Sequence, residues 1–336
     1  MSDAGEAPAT RVAVIGLGSM GLGMAEALLR AGFAVAGCDL ATPALDRLAA
    51  AGGRPCTTPA EAAEGAAVIL TVVVNAGQTS DVLFGRDGAA PVAPAGAVVV
   101  SSATMAPADA EALARRCEDA GLLYLDAPIS GGAKRAAEGA LTVMASGSEA
   151  AFAGAAAALD AVAAKVHRLG NRPGIGASVK MVNQLLAGVH IAAACEAITL
   201  AGKLGLDLGT VYEVITGSAG NSWMFENRVP HVLAGDYRPM SSIEIFVKDL
   251  GIVQDMARRE RYPAPLAAAA LQMYLAAAGA GMGGDDDASL ARVYAGLAGV
   301  TLPGVTLPGA DQTGADRTVV TLPVADRTGV DRSGGA

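Results

Sequence analysis

The sequence predicts a two-part α/β protein, in which a mostly parallel sheet covered by helices on both faces precedes an all-helical half. From Arg11 to about Gly170, short β-branched runs alternate with alanine-rich stretches, as in βαβ units. After Gly170 long apolar helical stretches follow instead. Of the 336 residues, 52% are hydrophobic and 17% charged, so the chain can bury a core in each part.

Six short runs in the first part have the composition of buried strands. Each is rich in β-forming residues and is bounded by turn residues. They lie at residues 12–15, 34–38, 68–74, 98–101, 122–126 and 142–145. Because helices separate them, we expect a mostly parallel sheet that binds ligands at the carboxyl ends of its strands.

A long apolar linking helix is predicted to begin the second part, at residues 177–204. At 1.5 Å per residue it would be on the order of 40 Å long, enough to span a membrane. It also contains His190 and Glu196, and because ionisable groups are costly in lipid, the sequence favours a helix buried in protein and no membrane partner. Further helices are predicted at residues 208–216, 243–260, 265–278 and 289–297.

Composition and charge argue against several classes of protein. A formal net charge of −9, without clusters of lysine and arginine, argues against nucleic-acid binding. The four cysteines lie far apart, as reduced core thiols do, and residues 1–10 have no apolar signal segment, so a cytoplasmic protein is expected. From residue 301 the chain repeats TLPG-like and ADRT-like units, which predicts a disordered tail.

A glycine-rich turn directly follows the first predicted strand. Gly16 permits a tight turn, Gly18 lets backbone N–H groups approach a pyrophosphate, and Gly21 lets the next helix pack on the strand. The turn consists of Gly16, Leu17, Gly18, Ser19, Met20 and Gly21. The sequence therefore predicts a Rossmann-type dinucleotide-binding domain at residues 11–172, an all-helical substrate and dimerisation domain at 173–300, and the tail at 301–336.

Asp39 ends the second predicted strand. An acid at this place can accept hydrogen bonds from an adenosine ribose, and it repels the 2′-phosphate of NADP. No arginine follows at residues 40–42 to bind such a phosphate. Asp39 therefore predicts NAD as the cofactor; the alternative is that it only caps a turn.

The sequence predicts no metal site. His167, His190 and His231 have no zinc-ligand spacing to each other or to acidic residues. The acidic run at residues 285–287 lacks the spaced ligands of a calcium loop, so we expect a solvated helix start there.

Lysine is the remaining type of proton acceptor for an alcohol substrate. Lys180 lies near the start of the long helix, and Asn183 and Gln184 follow one turn later on the same face. Because free lysine titrates near about 10.4, a catalytic Lys180 needs burial and nearby positive charge, for which Lys248 is the candidate. The alternative is a helix-start lysine with a solvated tip.

Several segments together resemble the β-hydroxyacid dehydrogenase family, which includes 3-hydroxyisobutyrate dehydrogenase. They are the glycine-rich turn, residues 126–132 with the later 139–141, the helix around Lys180, and residues 248–250. The resemblance extends over about residues 11–297. It implies a Rossmann-type domain with an all-helical second domain, a nicotinamide dinucleotide, a small hydroxy-acid substrate and a homodimer or homotetramer.

The resemblance also implies roles for the candidate residues that bind substrate. Lys180 would be the general acid/base of the reaction. Ser130, Gly131 and Gly132 would bind the substrate carboxylate, since a hydroxyl and backbone N–H groups suit an anion.

Other implied roles concern the cofactor and the lysine's neighbours. Asn75 and Thr104, like the glycine-rich turn, would contact the cofactor, and Lys248 would lie beside both nicotinamide and substrate. The family usually has asparagine four positions after the lysine. Here Gln184 stands there with Asn183 before it, and either could contact the substrate.

Residues 72–76, 184–191 and 220–228 resemble the branch of the family that oxidises L-threonate. The implied reaction is oxidation at C2 to 2-oxo-tetronate (2-dehydro-L-erythronate) with NAD. One alternative is another small hydroxy acid, such as 3-hydroxyisobutyrate or the glycerate and tartronate semialdehyde pair. Others are a catalytically silent NAD-binding protein and an imine reductase relative, and Lys180 counts against both.

Overall fold

The computed structural model describes residues 9–304, and it places one nine-stranded sheet before a group of packed helices. The strands are β1 (Arg11–Ile15), β2 (Ala34–Cys38), β3 (Arg54–Cys56), β4 (Val68–Thr71), β5 (Val98–Ser101), β6 (Leu123–Asp126), β7 (Ile129–Ser130), β8 (Leu141–Gly147) and β9 (Ala163–Gly170). An all-helical part follows β9. This confirms the fold class that the sequence predicts.

Helices lie between the strands and make up the second part. Those of the first part are α1 (Gly21–Arg30), α2 (Thr42–Ala50), α3 (Pro59–Ala63), α4 (Ala76–Phe84), α5 (Pro107–Asp119), α6 (Gly132–Ala137) and α7 (Glu149–Val162). Those of the second part are α8 (Ile175–Lys203), α9 (Leu208–Thr216), α10 (Trp223–Ala234), α11 (Ile243–Arg259), α12 (Pro265–Ala277) and α13 (Leu290–Ala298).

The order of strands places a ligand crevice at the end of β1. Along the sheet the order is β3-β2-β1-β4-β5-β6-β8-β7, with β9 beside β8. The strands from β3 to β6 run parallel, whereas β8 is antiparallel to β6 and β7. Since the chain leaves β1 toward β2 and later returns to its other side with β4, the carboxyl ends of β1 and β4 form the switch point where such sheets bind ligands.

Both faces of the sheet are buried, as alternate residues of β1 show. Val12 and Val14 pack with Leu28 of α1 in one hydrophobic cluster. Ala13 and Ile15 belong to a second cluster on the opposite face. Because successive side chains of a strand point to opposite faces, an unbroken apolar strand requires helices on both sides.

The elements that sequence periodicity misses are short, polar or interrupted. β3 has three residues and contains Pro55, and β9 has mostly exposed or half-exposed residues. α10 contains Pro230, which lacks the N–H that an inner helical residue donates. The predicted strand at 68–74 is shorter in the structure, where β4 ends at Thr71.

The long helix α8 is the centre of the second part. By length and composition, α8 and the stretch Pro265–Met282 are both apolar enough to cross a membrane. α8 packs against α10, α11, α12 and α13, and it carries the buried polar side chains of Lys180 and Gln184. Its other side leaves Val182 and Leu186 exposed.

The acidic run at residues 285–287 differs from the solvated helix start expected above. Asp285 is partly exposed and pairs with Arg292, but Asp286 and Asp287 are fully buried. Arg228 of α10 forms a two-bond ion pair with Asp287, at 2.5 and 3.1 Å. The expectation was wrong because the cation that compensates the buried acid comes from another helix.

Part of the predicted tail belongs to the helical core. Residues 305–336 lie outside the described residues. Leu302 is 2% exposed within the helical hydrophobic cluster, and the hydroxyl of Tyr237 donates to the carbonyl of Pro303 at 3.3 Å. The packed chain therefore continues past residue 300, where the tail was expected to begin.

Candidate active site

In the glycine-rich turn after β1, glycine is needed at three positions for different physical reasons. Gly16 has a φ of +94°, and a Cβ there would lie 2.5 Å from the carbonyl oxygen of Val72. At Gly21 a Cβ would lie 1.9 Å from the carbonyl oxygen of Gly16. At Gly18 it would meet nothing within 4 Å. Gly16 and Gly21 therefore allow close backbone packing, while Gly18 borders open space where a ligand can approach.

A cleft of about 650 Å³ opens beside this turn. Its lining includes Gly18, Ser19, Lys134 of α6 and Arg47 of α2. No side chain caps the start of α1 at Met20, so its first N–H groups are available to an anion. These residues fit the pyrophosphate and adenosine half of a dinucleotide.

Asp39 lies at the end of β2, next to the turn. One carboxylate oxygen accepts the N–H of Leu17 at 2.5 Å, and the other accepts the N–H of Ala41 at 2.8 Å. Each oxygen has a further lone pair, so both bonds leave capacity for the hydroxyls of a ribose. Asp39 thus fastens the glycine-rich turn through the N–H of Leu17, which lines the cleft.

Asn75 and Thr104 follow β4 and β5, at the same edge of the sheet. The side chain of Asn75 caps α4 by accepting the N–H of Gln78 at 2.9 Å. The carbonyl of Thr104 accepts a hydrogen bond from Lys248 Nζ at 3.0 Å. The structure therefore brings Lys248, from the helical part, to the carboxyl edge of the sheet.

Lys180 is buried, not solvated. Its side chain begins on α8, and its Nζ donates to the carbonyl oxygen of Ile129 at 2.9 Å. The residue is 7% exposed. The pKa of Lys180 is lowered from 10.5 to about 8, mainly by burial, with Asp249 acting against the shift and Lys248 adding to it. Such an amine can exchange a proton with an alcohol near neutral pH.

The predicted carboxylate-binding loop lies next to this amine. Ser130 ends β7, and Gly131 and Gly132 follow with φ values of +138° and +76°. Glycine adopts these conformations without the strain that other residues meet. A Cβ at Gly132 would meet nothing within 4 Å, so this end of the loop is open to a ligand.

A chain of polar side chains connects α8 with α11. The buried carboxylate of Asp249 accepts from Lys248 Nζ and from Gln184 Nε2, both at 2.5 Å. The amide of Asn183 donates to Gln184 Oε1 at 2.9 Å. Gln184 thus holds Asp249, and Asn183 is the more exposed amide of the two.

Asp126 and Asp249 are buried acids near the candidate site to which the sequence analysis gave no role. Each directly adjoins a candidate segment: Asp249 follows Lys248, and Asp126 begins the stretch that leads to Ser130. In the sequence, each is an acidic residue inside an apolar run, and this pattern could have indicated a buried acid. The structure shows both acids to be buried.

Residues 220–228 are placed by the contacts of Arg228, at the end of the segment. They lie at the start of α10, where Arg228 pairs with Asp287, close to Cys195 of α8. Cys195 is roughly 22 Å along the helix axis from Lys180 at 1.5 Å per residue. Arg228 therefore supports the helical core of its own chain.

In the part of the chain that the structure describes, no cluster of three or more His, Cys, Asp or Glu could hold a metal ion. His231 Nδ1 lies 3.0 Å from Asp286 Oδ1. The four cysteines are buried free thiols, and burial raises the pKa of Cys117 to about 12.

The pKa of Lys180 leads to a pH prediction. The neutral amine accepts the proton of an alcohol, so kcat/KM for oxidation should rise with pH, with a midpoint at about 8. In the reducing direction the ammonium form is required, and kcat/KM should fall through the same range. Initial rates in both directions, at saturating dinucleotide and constant ionic strength, measure this. A rate independent of pH across this range in both directions contradicts the assignment.

Comparisons with known proteins show the family to which the chain belongs. Residues 11–170 match the family described as the NAD binding domain of 6-phosphogluconate dehydrogenase. Residues 174–294 match the family described as NAD-binding of NADP-dependent 3-hydroxyisobutyrate dehydrogenase. An L-threonate dehydrogenase of Cupriavidus necator is 56% identical over 85% of this chain and 96% of that protein. One of Escherichia coli K12 is 48% identical over 87% and 96%.

A solved structure is similar over nearly its whole length. The 3-hydroxyisobutyrate dehydrogenase of Salmonella typhimurium superposes with a TM-score of 0.82 and 48% identity, covering 84% of this chain and 99% of that one. The fold, the glycine-rich turn and the buried lysine define an oxidoreductase that uses a nicotinamide dinucleotide. The chain belongs to the β-hydroxyacid dehydrogenase family, related to 3-hydroxyisobutyrate dehydrogenase.

Proposed function

We propose that this chain oxidises the C2 hydroxyl of L-threonate to 2-oxo-tetronate, using NAD. The observation that carries the proposal is the buried amine of Lys180, 2.9 Å from the carbonyl of Ile129 and thus beside Ser130. The identity of 56% and 48% to two L-threonate dehydrogenases supports this substrate over other hydroxy acids.

The substrate is held by its carboxylate. The hydroxyl of Ser130 and the N–H groups of Gly131 and Gly132 bind this group, as successive positive-φ glycines form a concave set of donors. Asn183 binds the substrate's hydroxyls, while Gln184 is occupied by Asp249. The substrate's C2 hydroxyl then lies against Lys180.

Lys180 transfers the proton. As a neutral amine it donates one N–H to Ile129 and directs its lone pair at the C2 hydroxyl, whose proton it takes as C2 becomes a carbonyl. A nicotinamide dinucleotide held at the glycine-rich turn and Asp39 would supply the acceptor for the hydride that leaves C2. Burial keeps the amine's pKa low; Lys248 acts in the same direction, and Asp249, which is ion-paired with Lys248, acts against it.

Preference for NAD over NADP rests on Asp39. We expect Asp39→Asn to lower the ratio of kcat/KM for NAD to that for NADP on the order of tenfold, because a negative charge that repels the 2′-phosphate is lost. The amide oxygen still accepts the N–H of Leu17, which holds the glycine-rich turn, while the N–H of Ala41 loses its acceptor. Asp46→Asn, an exposed acid on α2, is the matched control. An unchanged ratio in Asp39→Asn would remove Asp39 from cofactor selection.

The test of the function is a substrate panel. NADH or NADPH production is followed with L-threonate, D-threonate, D-erythronate, 3-hydroxyisobutyrate and glycerate. Highest kcat/KM for L-threonate with NAD is expected. Preference for 3-hydroxyisobutyrate would instead favour the second candidate, which the 48% identical Salmonella structure supports.

Two further expectations belong to the proposal. The chain acts in the cytoplasm, in keeping with its bacterial metabolic relatives. It forms a homodimer or homotetramer, and the exposed Val182 and Leu186 of α8 are candidates for the buried face. Light scattering on the purified chain measures this oligomeric state.

A further inference from the structure

Asp126 is a buried acid that the reaction does not use. It ends β6 and is 2% exposed. No salt bridge reaches it among residues 9–304. A buried carboxylate without a cation is costly, so its hydrogen bonds must compensate for the lost water. Burial raises the pKa of Asp126 to about 6, so the group is mainly ionised at neutral pH.

Its partners lie at the start of α8. One oxygen of Asp126 accepts the N–H of Gly174 at 2.9 Å and that of Ala177 at 2.8 Å, and Ser146 Oγ lies 3.4 Å away. Gly174, the residue before the helix, has no side chain to cap it. Asp126 therefore caps α8 from a neighbouring strand, where an anion also interacts favourably with the helix dipole.

The start of α8 packs very closely against the backbone of β6 and β8. A Cβ at Gly176 would lie 2.4 Å from the carbonyl oxygen of Met144 and 2.8 Å from that of Asp126. The N–H of Gly176 also donates to Ser146 Oγ at 2.9 Å. The position of α8 along its axis is thus fixed by contacts at its first turn.

The same stretch of chain binds α8 a second time, through Lys180. Asp126 holds the helix start, and the carbonyl of Ile129 accepts from Lys180 Nζ. Ser130 follows directly. The loop that would bind the substrate carboxylate and the amine that would take the proton are therefore tied together at two points.

We propose that Asp126 is a positioning residue, which caps α8 from β6 and thereby sets Lys180 against the Ser130 loop. The inference rests on the proposed function, since it concerns the same site. Asp126 touches neither substrate nor cofactor in this account. Its loss should separate the two halves of the site while leaving the glycine-rich turn, at β1, in place.

The test compares Asp126→Ala with Asp126→Asn. The alanine variant should lose kcat about 100-fold, because small displacements of a reacting group have effects of this size, while its Kd for NADH is unchanged. The asparagine variant keeps an oxygen that accepts both N–H groups, and it should restore kcat to within about fivefold of the parent chain. Ser148→Ala is the matched control: it removes the cap of α7, which accepts the N–H of Ala151 at 3.2 Å, and should lower Tm without changing kcat.

The pH profile separates positioning from general weakening. The charged groups that face Lys180 are Lys248 and Asp249 of α11. If Asp126→Ala lets water reach the amine, the midpoint for oxidation moves from about 8 toward the ordinary 10.5. Ser148→Ala should keep the parent midpoint. Asp126→Ser serves in place of the alanine variant if that chain does not bind NADH, because its hydroxyl is too short to reach both amides.

Hydrogen exchange makes the test independent of turnover. Amides at residues 174–180 should exchange faster in Asp126→Ala than in the parent chain, and those of α7 should not. If the parent chain oxidises no acid of the panel, the proposed function fails while this readout still reports on Asp126. A kcat within threefold of the parent in Asp126→Ala, or an asparagine variant as slow as the alanine one, overturns the inference.

Discussion

Lys180→Met should lower kcat for hydroxy-acid oxidation on the order of 10³-fold, the usual size of a general-base contribution. Methionine fills nearly the same volume but cannot accept a proton. Because the change also removes a buried amine whose charge is costly to desolvate, Tm should not fall. The Kd for NADH should stay within about threefold, because Lys180 binds the reacting hydroxyl rather than the dinucleotide.

A second lysine of the same helix is the control. Lys203 in the last turn of α8 is exposed and donates to the carbonyl of Ala298 at 2.9 Å. Lys203→Met should keep the parent kcat. In Lys180→Ala, added primary amines should restore part of the rate, and the restored rate should depend on the pKa of the amine. Turnover of Lys180→Met within tenfold of the parent would show that another group moves the proton.

The dinucleotide half of the site was predictable because its causes are local. Gly21 is required by a clash with the carbonyl of Gly16 inside one strand–turn–helix unit, and Gly16 is required by its positive φ at the turn, so a short motif reports both. Asp39 reaches Leu17 through the pairing of β1 with β2, the first two strands. Alternating apolar runs and helices suffice to predict such a unit.

Residue spacing alone left the role of Lys180 in the substrate half of the site undecided, because the contacts that bury this lysine are long-range. Ile129, which accepts from Lys180, is 51 positions away in sequence. Asp249, which holds Gln184, is 65 positions away. No local pattern distinguishes a lysine with these partners from one with a solvated tip. Only the resemblance to a family favoured the buried state, which the structure then showed.

The acidic run at residues 285–287 is a second case in which local sequence could not predict burial. Locally the run has the composition of a solvated helix start, and Asp285 is partly exposed as expected. Burial of Asp287 depends on Arg228, 59 positions earlier on a helix that was not predicted. In this run the cation that compensates buried Asp287 comes from another element, which no local pattern shows.

Asp287→Ala should therefore lower the free energy of unfolding by about 3–5 kcal/mol, the cost of leaving one partner of a buried ion pair alone. Arg228 would keep its charge with 9% of the residue exposed and no carboxylate opposite. Urea unfolding followed by circular dichroism measures this loss. Asp285→Asn is the matched control from the same run, and its exposed pair should contribute at most about 1 kcal/mol.

Replacing both partners separates the pair's own contribution from the penalty of an unpaired charge. The double variant Arg228→Met with Asp287→Leu removes both charges, and it should recover most of the stability that Asp287→Ala loses, because no charge is then buried alone. Arg228→Met alone should be destabilising, since it leaves Asp287, which is fully buried, without its cation. If the double variant is no more stable than Asp287→Ala, the hydrogen bonds between Arg228 and Asp287, and not the uncompensated charge, account for the lost stability.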